Sequence, residues 1–268
     1  MNTDLTQEQI DAYQNDGFVV IDDFLTNEEL ETWRMYVDEA IAGRANRKLA
    51  DGRLTDGDAY YDKVFVQRIN LWQDHDGMRE LMHDANLGRM AATLAGVDGI
   101  RIWHDQALVK MPWGNPTGWH LDNPYWSFSS RNSISIWVAL DDVTVHNGGL
   151  YFIPESHKTA TFDNTDIGQN IGDLFEIYTD WADKEAVSAP MEAGSCSFHN
   201  GLVAHGAGAN MTPGKRRAMT CAYMPDGSTF NGKQNILPPD IFEKLTVGDV
   251  LDNDTLNPLI YHKDWDAS

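Results

Sequence analysis

The stretch Gly99-Ile100-Arg101-Ile102-Trp103-His104-Asp105-Gln106-Ala107-Leu108-Val109-Lys110 is where the sequence changes character. Successive side chains of an extended chain point to opposite faces, so Ile100, Ile102, His104, Gln106, Leu108 and Lys110 fall on one side of a predicted strand. Pro112, Gly114 and Pro116 close it with turn chemistry. Residues 133–140, 149–153, 195–205 and 217–223 read as further short strands, all separated by turn residues. Several short strands with Gly- and Pro-rich connections argue for a sandwich or barrel.

Before residue 99 the signals are helical. Thr6 with Gln9 and Thr26 with Glu29 each have the form of a capping box, a hydroxyl followed three residues later by a long acceptor. Ile10 and Tyr13 continue the first, and Leu30, Trp33, Val37 and Ile41 the second. Between them Phe18 to Ile21 is a compact apolar run suited to a buried strand. A third helix is expected over residues 87–94, ending at Gly96. Residues 43–70 are polar, broken by Gly52 and Gly57, and read as an excursion within one domain. The division expected is a mostly helical covering layer over residues 1–98, a β core over 99–225 and a C-terminal extension over 226–268.

Composition narrows the partners. The chain of 268 residues carries a formal charge of −21, which repels phosphates at long range, so nucleic acid is not expected as a ligand. Two cysteines, Cys196 and Cys221, sit in no short metal spacing and predict no disulfide framework. No apolar run approaches membrane-spanning length, and the expectation is a cytoplasmic protein without a membrane partner. Nothing in the sequence fixes the oligomeric state.

Gly118-Trp119-His120-Leu121-Asp122 supplies the first candidate for chemistry. In a strand, residues i and i+2 share a face, so His120 and Asp122 could chelate one metal without a special turn. Alone, that spacing carries little weight. Among nine histidines, His205 stands out because Gly206 and Gly208 leave room for close approach of a ligand to the backbone. Two histidines and one carboxylate on one face of an octahedron leave three positions open, an arrangement suited to Fe(II). The same donors also suit a catalytic zinc.

These residues belong to longer patterns. His120-x-Asp122, Trp137-Val138-Ala139-Leu140-Asp141, Gly148-Gly149-Leu150 with Ile153-Pro154-Glu155-Ser156-His157-Lys158, and His205-Gly206-x-Gly208-x-Asn210 followed by Arg216 together resemble the phytanoyl-CoA dioxygenase family. The resemblance implies a mainly β fold with α, a double-stranded β-helix (jelly roll, cupin-like barrel) with N-terminal helices packed on one sheet. It implies an oxygenase that binds Fe(II) through His120, Asp122 and His205, takes 2-oxoglutarate as cosubstrate with O2, and hydroxylates a small organic molecule with release of succinate and CO2.

The resemblance also places an arginine eleven residues after the distal histidine, against the distal carboxylate of 2-oxoglutarate, and Arg216 stands there. A permanently charged planar fork suits a carboxylate. Arg217 has the other strand parity and is expected to point away, unless the register is off by one. Trp137 and Gln106 match positions that line the cosubstrate, although core packing explains them equally well. Many relatives carry Ser two residues after the distal histidine, whereas this chain has Ala207, so another group must supply that hydroxyl.

Tyr125 and Trp126 follow Asn123-Pro124 and are candidates for substrate contact at the barrel mouth, with packing beneath the helices as the alternative. Trp113 and Trp119 share that ambiguity. His199 shares the parity of His205 and reads as a core or supporting residue; His75, His83, His104, His146, His157 and His262 offer no metal spacing. Halogenating relatives replace the carboxylate ligand by a small residue, so Asp122 favours hydroxylation. Two rivals stay open: a non-catalytic small-ligand-binding barrel with a vestigial metal site, whose mark would be a broken triad or a missing Arg216, and a zinc hydrolase, which lacks an obvious general base and leaves Arg216 unexplained.

Overall fold

The computed structural model describes residues 1–56 and 60–267. The predicted break at Gly57 lies outside the described residues. In chain order the main elements are α1 (Gln7–Asp16), β1 (Phe18–Ile21), α2 (Asn27–Arg44), β2 (Val66–Ile69), α3 (Asp76–Met82), α4 (Ala85–Ala95), β3 (Gly99–Lys110), β4 (Thr117–His120) and β5 (Ile134–Ala139). There follow β6 (Leu150–Phe152), β7 (Val187–Ala189), β8 (Cys196–Asn200), β9 (His205–Ala207), β10 (Arg216–Pro225) and β11 (Leu259–His262).

Local chemistry starts the helices where expected. Thr6 Oγ1 accepts from the Gln9 amide at 3.2 Å while the Gln9 side chain accepts from the Thr6 amide at 2.9 Å. Thr26 and Glu29 repeat the exchange ahead of α2. Gly17 ends α1 at φ +86°, and a Cβ there would stand 2.5 Å from the His157 ring, so the turn into β1 needs glycine twice over.

Two antiparallel sheets face each other. The larger runs β1-β8-β5-β10-β3-β11, with β2 also paired to β3; the smaller runs β4-β9-β6-β7. The helices cover the outer face of the larger sheet. Trp33, Val37, Met78, Leu87 and Met90 pack on Ile100, Ile136, Phe198, Met219 and Tyr223 in one buried cluster. The alternate residues of the same strands turn inward, where Trp137, Ala139 and Ala218 meet Leu150 and Phe152 of the smaller sheet. This is the double-stranded β-helix with helices on one sheet. Both cysteines are free and buried. Among the described residues no helix is long and apolar enough to cross a membrane.

Two strand expectations are corrected. Residues 195–205 do not form one strand: β8 ends at Asn200 and β9 begins at His205 in the other sheet. Asn200 makes the turn, its Oδ1 accepting from the Leu202 amide at 2.8 Å and its carbonyl from Val203 at 3.0 Å. Leu202, Val203 and Ala204 are wholly buried, which is why the turn reads as strand.

The alternation over residues 99–110 also breaks. β10 pairs Ala222 with His104 and Tyr223 with Ile102, so Trp103 is an extra residue in a bulge. His104, Gln106 and Leu108 share one face as expected, and that face lines the interior, but Ile100 and Ile102 join the helical side and Trp103 turns in beside Ala222 and Met224.

Candidate active site

A cavity of about 450 Å³ lies between the sheets, and the three candidate metal ligands share its wall. His120 ends β4 and His205 opens β9, paired directly across the smaller sheet. Asp122 lies just beyond the strand in helical backbone (φ −76°, ψ −52°) at the head of a short turn over Asn123–Tyr125. Strand parity alone therefore does not place it. The turn does, while Leu121 is buried on the far side against Ile153 and Trp181.

One ligand atom from each residue lies within 4.8 Å of the others. His120 Nε2 is 3.5 Å and His205 Nε2 is 3.7 Å from Asp122 Oδ1. Each ring turns its other nitrogen to its own backbone, His120 Nδ1 at 2.8 Å from Gly118 O and His205 Nδ1 at 3.1 Å from Val203 O. A carbonyl only accepts, so these contacts assign a proton to each Nδ1 and make Nε2 the lone-pair nitrogen of the neutral ring. Burial, and then the closeness of the His120 ring, push His205 down to about 3, which keeps it neutral. Burial works to raise Asp122, but His205, His120 and His199 outweigh it and hold the carboxyl well below its usual range.

The expected supporting role of His199 takes a definite form. Its Nε2 is 3.4 Å from Asp122 Oδ2, and Ser135 Oγ donates to the same oxygen at 3.4 Å. Oδ1 is thus left facing the two imidazoles. Neutral imidazole nitrogens with an ionised carboxylate form a donor set that fits a divalent iron.

Elsewhere in the same cavity stands Arg216. Its guanidinium lies 5.0 Å from the centre of the Trp137 ring, and Nη2 donates to Gly148 O at 2.9 Å. Nε and Nη1 are buried without a hydrogen-bond partner among the described residues. Burial lowers its pKa to about 10, so it stays charged. Two unused donors on a buried cation fit a carboxylate. Arg217 takes the other face, donating to Asp141 at 2.6 Å and to Asp38 at 2.8 Å.

Gln106 and Trp137 both line the cavity. Gln106 Oε1 accepts from Gln67 Nε2 at 2.6 Å, which leaves the Gln106 amide hydrogens for the interior. Tyr125 and Trp126 line it too, Tyr125 with its hydroxyl on Thr165 O and Trp126 stacked on Phe128 at 5.5 Å. Trp119 instead packs on Phe175, and Trp113 is 65% exposed.

Sequence reasoning missed several lining residues. His104 faces the cavity, its ring edge-on to Trp126 at 6.0 Å and its Nδ1 buried without a partner among the described residues. Its shared parity with Gln106 was the available signal. Phe65, Gln67 and Ile69 come from the polar excursion, and Asn235 and Ile236 from beyond the core; no local pattern marks them.

Known proteins of one family are similar to this chain in sequence and fold. The chain is 28% identical over 223 residues to the methylphosphonate hydroxylase of Gimesia maris, covering 83% of this chain and 82% of that protein. It is 26% identical over 239 residues to the peroxisomal phytanoyl-CoA dioxygenase of Bos taurus, covering 83% and 69%. Its fold is similar to the crystal structure of the non-heme α-ketoglutarate-dependent carbocyclase SnoK of nogalamycin biosynthesis, with a TM-score of 0.78 at 26% identity over 96% of both chains. The family model described as phytanoyl-CoA dioxygenase matches residues 13–218, and the chain belongs to that family.

Proposed function

We propose that this chain is an Fe(II)- and 2-oxoglutarate-dependent dioxygenase in which His120, Asp122 and His205 hold the iron, Arg216 anchors the cosubstrate, and a C–H bond of a small organic molecule is hydroxylated. The observation that carries the reading is one cavity holding both a two-histidine, one-carboxylate donor set and a buried arginine with unused donors. When bound, iron and 2-oxoglutarate supply the oxidising power, with O2 consumed and succinate and CO2 released.

The residues have distinct tasks in this reading. His120 and His205 offer Nε2 lone pairs, and Asp122 supplies a negative charge that His199 and Ser135 keep aimed. Arg216 takes the distal carboxylate, flanked by Trp137, and Gln106 turns amide hydrogens inward. Phe65, Tyr125, Trp126 and Ile236 shield the centre from bulk water. A zinc hydrolase would leave Arg216 with no partner to bind.

The wall says something about the substrate. Apart from Arg216, no lysine or arginine lines the cavity among the described residues, while Asp166 does. An anionic group would enter without a counter-charge, so a neutral or cationic substrate with apolar surface is favoured over an acyl-CoA or a phosphonate. His104 and Gln106 are the polar groups available to orient it.

Anaerobic protein titrated with Fe(II) and then 2-oxoglutarate is expected to develop a weak visible charge-transfer band, because that band requires the 2-oxo acid to chelate the metal. No band, together with hydrolytic activity on adding zinc, would replace the oxygenase reading with the hydrolase. A screen of neutral, cationic and anionic metabolites for stimulated succinate release then assigns the substrate.

A further inference from the structure

With metal and cosubstrate in place, the charges on the cavity wall cancel except for one. The two charges of a ferrous ion and that of Arg216 offset Asp122 and the two carboxylates of 2-oxoglutarate. Lys110, buried opposite Arg216 in the β3–β10 ladder, sends its hydrogens to Gly208 O at 2.8 Å, Asn115 O at 3.0 Å and Thr117 Oγ1 at 3.4 Å, and does not line the cavity. The charge left over among the described lining residues is Asp166. It is exposed, and among the described residues its carboxylate has neither an ion pair nor a hydrogen bond.

The neighbours of Asp166 tie it to the metal-binding segment. Asn164 clasps the backbone of Leu121, between the ligands His120 and Asp122: its Oδ1 accepts from the Leu121 amide at 3.3 Å and its Nδ2 donates to the Leu121 carbonyl at 2.7 Å. The Tyr125 hydroxyl donates to the Thr165 carbonyl. Residues 161–186, which carry Asp166, contain seven acidic residues and one lysine, a field that draws cations toward the cavity and repels anions.

The rest of the wall suits the same charge. Phe65, Tyr125 and Trp126 line it with aromatic rings, whose π-faces attract a cation that has lost its water. His104 is 7% exposed, and burial pushes its pKa down to about 4, so it adds no positive charge. Its buried Nδ1 has no hydrogen-bond partner among the described residues, which leaves a polar group in the wall for a ligand. We infer that the substrate carries a protonated amine and that Asp166 is the residue that selects it, pairing with the ammonium while an apolar body reaches inward along the aromatic wall. This rests on the cosubstrate reading above, because the charge balance presupposes bound 2-oxoglutarate.

The test uses the full chain under anaerobic conditions, loaded with Fe(II) and saturating 2-oxoglutarate, with the charge-transfer band as the check on loading. Three probes of one shape, phenylpropylammonium, phenylpropanol and phenylpropanoate, are titrated by calorimetry. The ammonium should bind about threefold to tenfold more tightly than the alcohol, as for a charge pair that keeps contact with solvent, and the carboxylate should bind most weakly. Asp166→Asn should abolish the preference for the ammonium and leave the alcohol within about twofold. Asp166→Lys should reverse the order of the two ions. Both variants change an exposed side chain, so the band should persist in each. High salt should narrow the gap between ammonium and alcohol, because an exposed pair is screened. Equal Kd values for ammonium and alcohol, a preference unchanged in Asp166→Asn, or no ammonium binding at millimolar concentration would overturn the inference while the band leaves the cosubstrate reading intact. No band in the unsubstituted protein would overturn both.

Discussion

The two ends of the cavity are built on opposite plans. At the metal end the polar atoms that aim the ligands are nearly all engaged: His120 and His205 are tied to their own backbones, and Asp122 Oδ2 faces His199 and Ser135. At the carboxylate end Arg216 keeps two donors unpaired and Lys110 lies beside it without a counter-charge. A metal site must be rigid before the ion arrives, because ligand geometry selects the ion. A site for a charged cosubstrate can hold unmet charge, since the arriving anion neutralises it. The first end is organised by hydrogen bonds, the second by electrostatic demand.

The largest effect should come from breaking the metal end. Asp122→Ala removes the one negative ligand, and succinate formation should fall to the background of the iron-free protein; His205→Ala should weaken iron binding itself, read by equilibrium dialysis of Fe(II). Unchanged turnover in either variant would remove that residue from the site. The carboxylate end should give a graded response. Arg216→Ala should raise the 2-oxoglutarate Kd about tenfold to a hundredfold, the worth of a charged hydrogen bond at roughly 1.5–3 kcal/mol. Arg216→Lys should recover only part, because an ammonium keeps the charge and loses the fork.

A smaller effect separates the ends by pH. The folded pKa of Lys110 is depressed to about 7 against roughly 10.4 in an unfolded chain, so between these values the unfolded state binds more protons. The sign follows: the cosubstrate-free fold should gain stability as pH rises from 7 to 8, by about 1 kcal/mol. Above that window the buried thiols of Cys196 and Cys221, whose pKa values are raised by burial, act in the opposite direction. Denaturant midpoints at pH 7 and 8 should diverge in the unsubstituted protein and converge on saturation with 2-oxoglutarate or in Lys110→Met. Equal slopes with and without the anion would detach Lys110 from the carboxylate end.

How far the sequence discloses these features depends on how local they are. The capping boxes at Thr6 and Thr26 and the glycine stops at Gly17 and Gly96 are each specified within a few residues, and the helices form there. The donor set is legible because His120 with Asp122 and His205 with its glycines are short motifs. Asp122 still reaches its position by a turn that strand parity does not describe. The bulge at Trp103 depends on partners in a distant strand, and the turn after Asn200 is masked by the full burial of Leu202, Val203 and Ala204, so the local pattern misleads at both. Gln67 reaches Gln106 only because β2 pairs with β3, and Ile236 closes the cavity from a segment with no signal of its own.

The smallest expected effect is the sharpest check on the comparison, because it concerns two adjacent residues of one type. Arg216 and Arg217 differ by one step along β10, and the alternation sends the first into the cavity and the second out to Asp141 and Asp38. Arg217 also presents its amide to Asp141 at 2.8 Å, which holds the strand in register from outside. Removing the Arg217 side chain breaks partly solvated ion pairs, so Arg217→Ala should cost on the order of 1 kcal/mol of stability or less. Its 2-oxoglutarate Kd should stay within about twofold of the unsubstituted protein. Thermal denaturation and the charge-transfer titration measure the two quantities separately, and the variants should cross: Arg216→Ala poor in binding, Arg217→Ala slightly poorer in stability. A larger binding defect in the 217 variant would mean that β10 sits one residue out of register, with the outward arginine serving the cosubstrate and the unpaired donors of Arg216 left without a purpose.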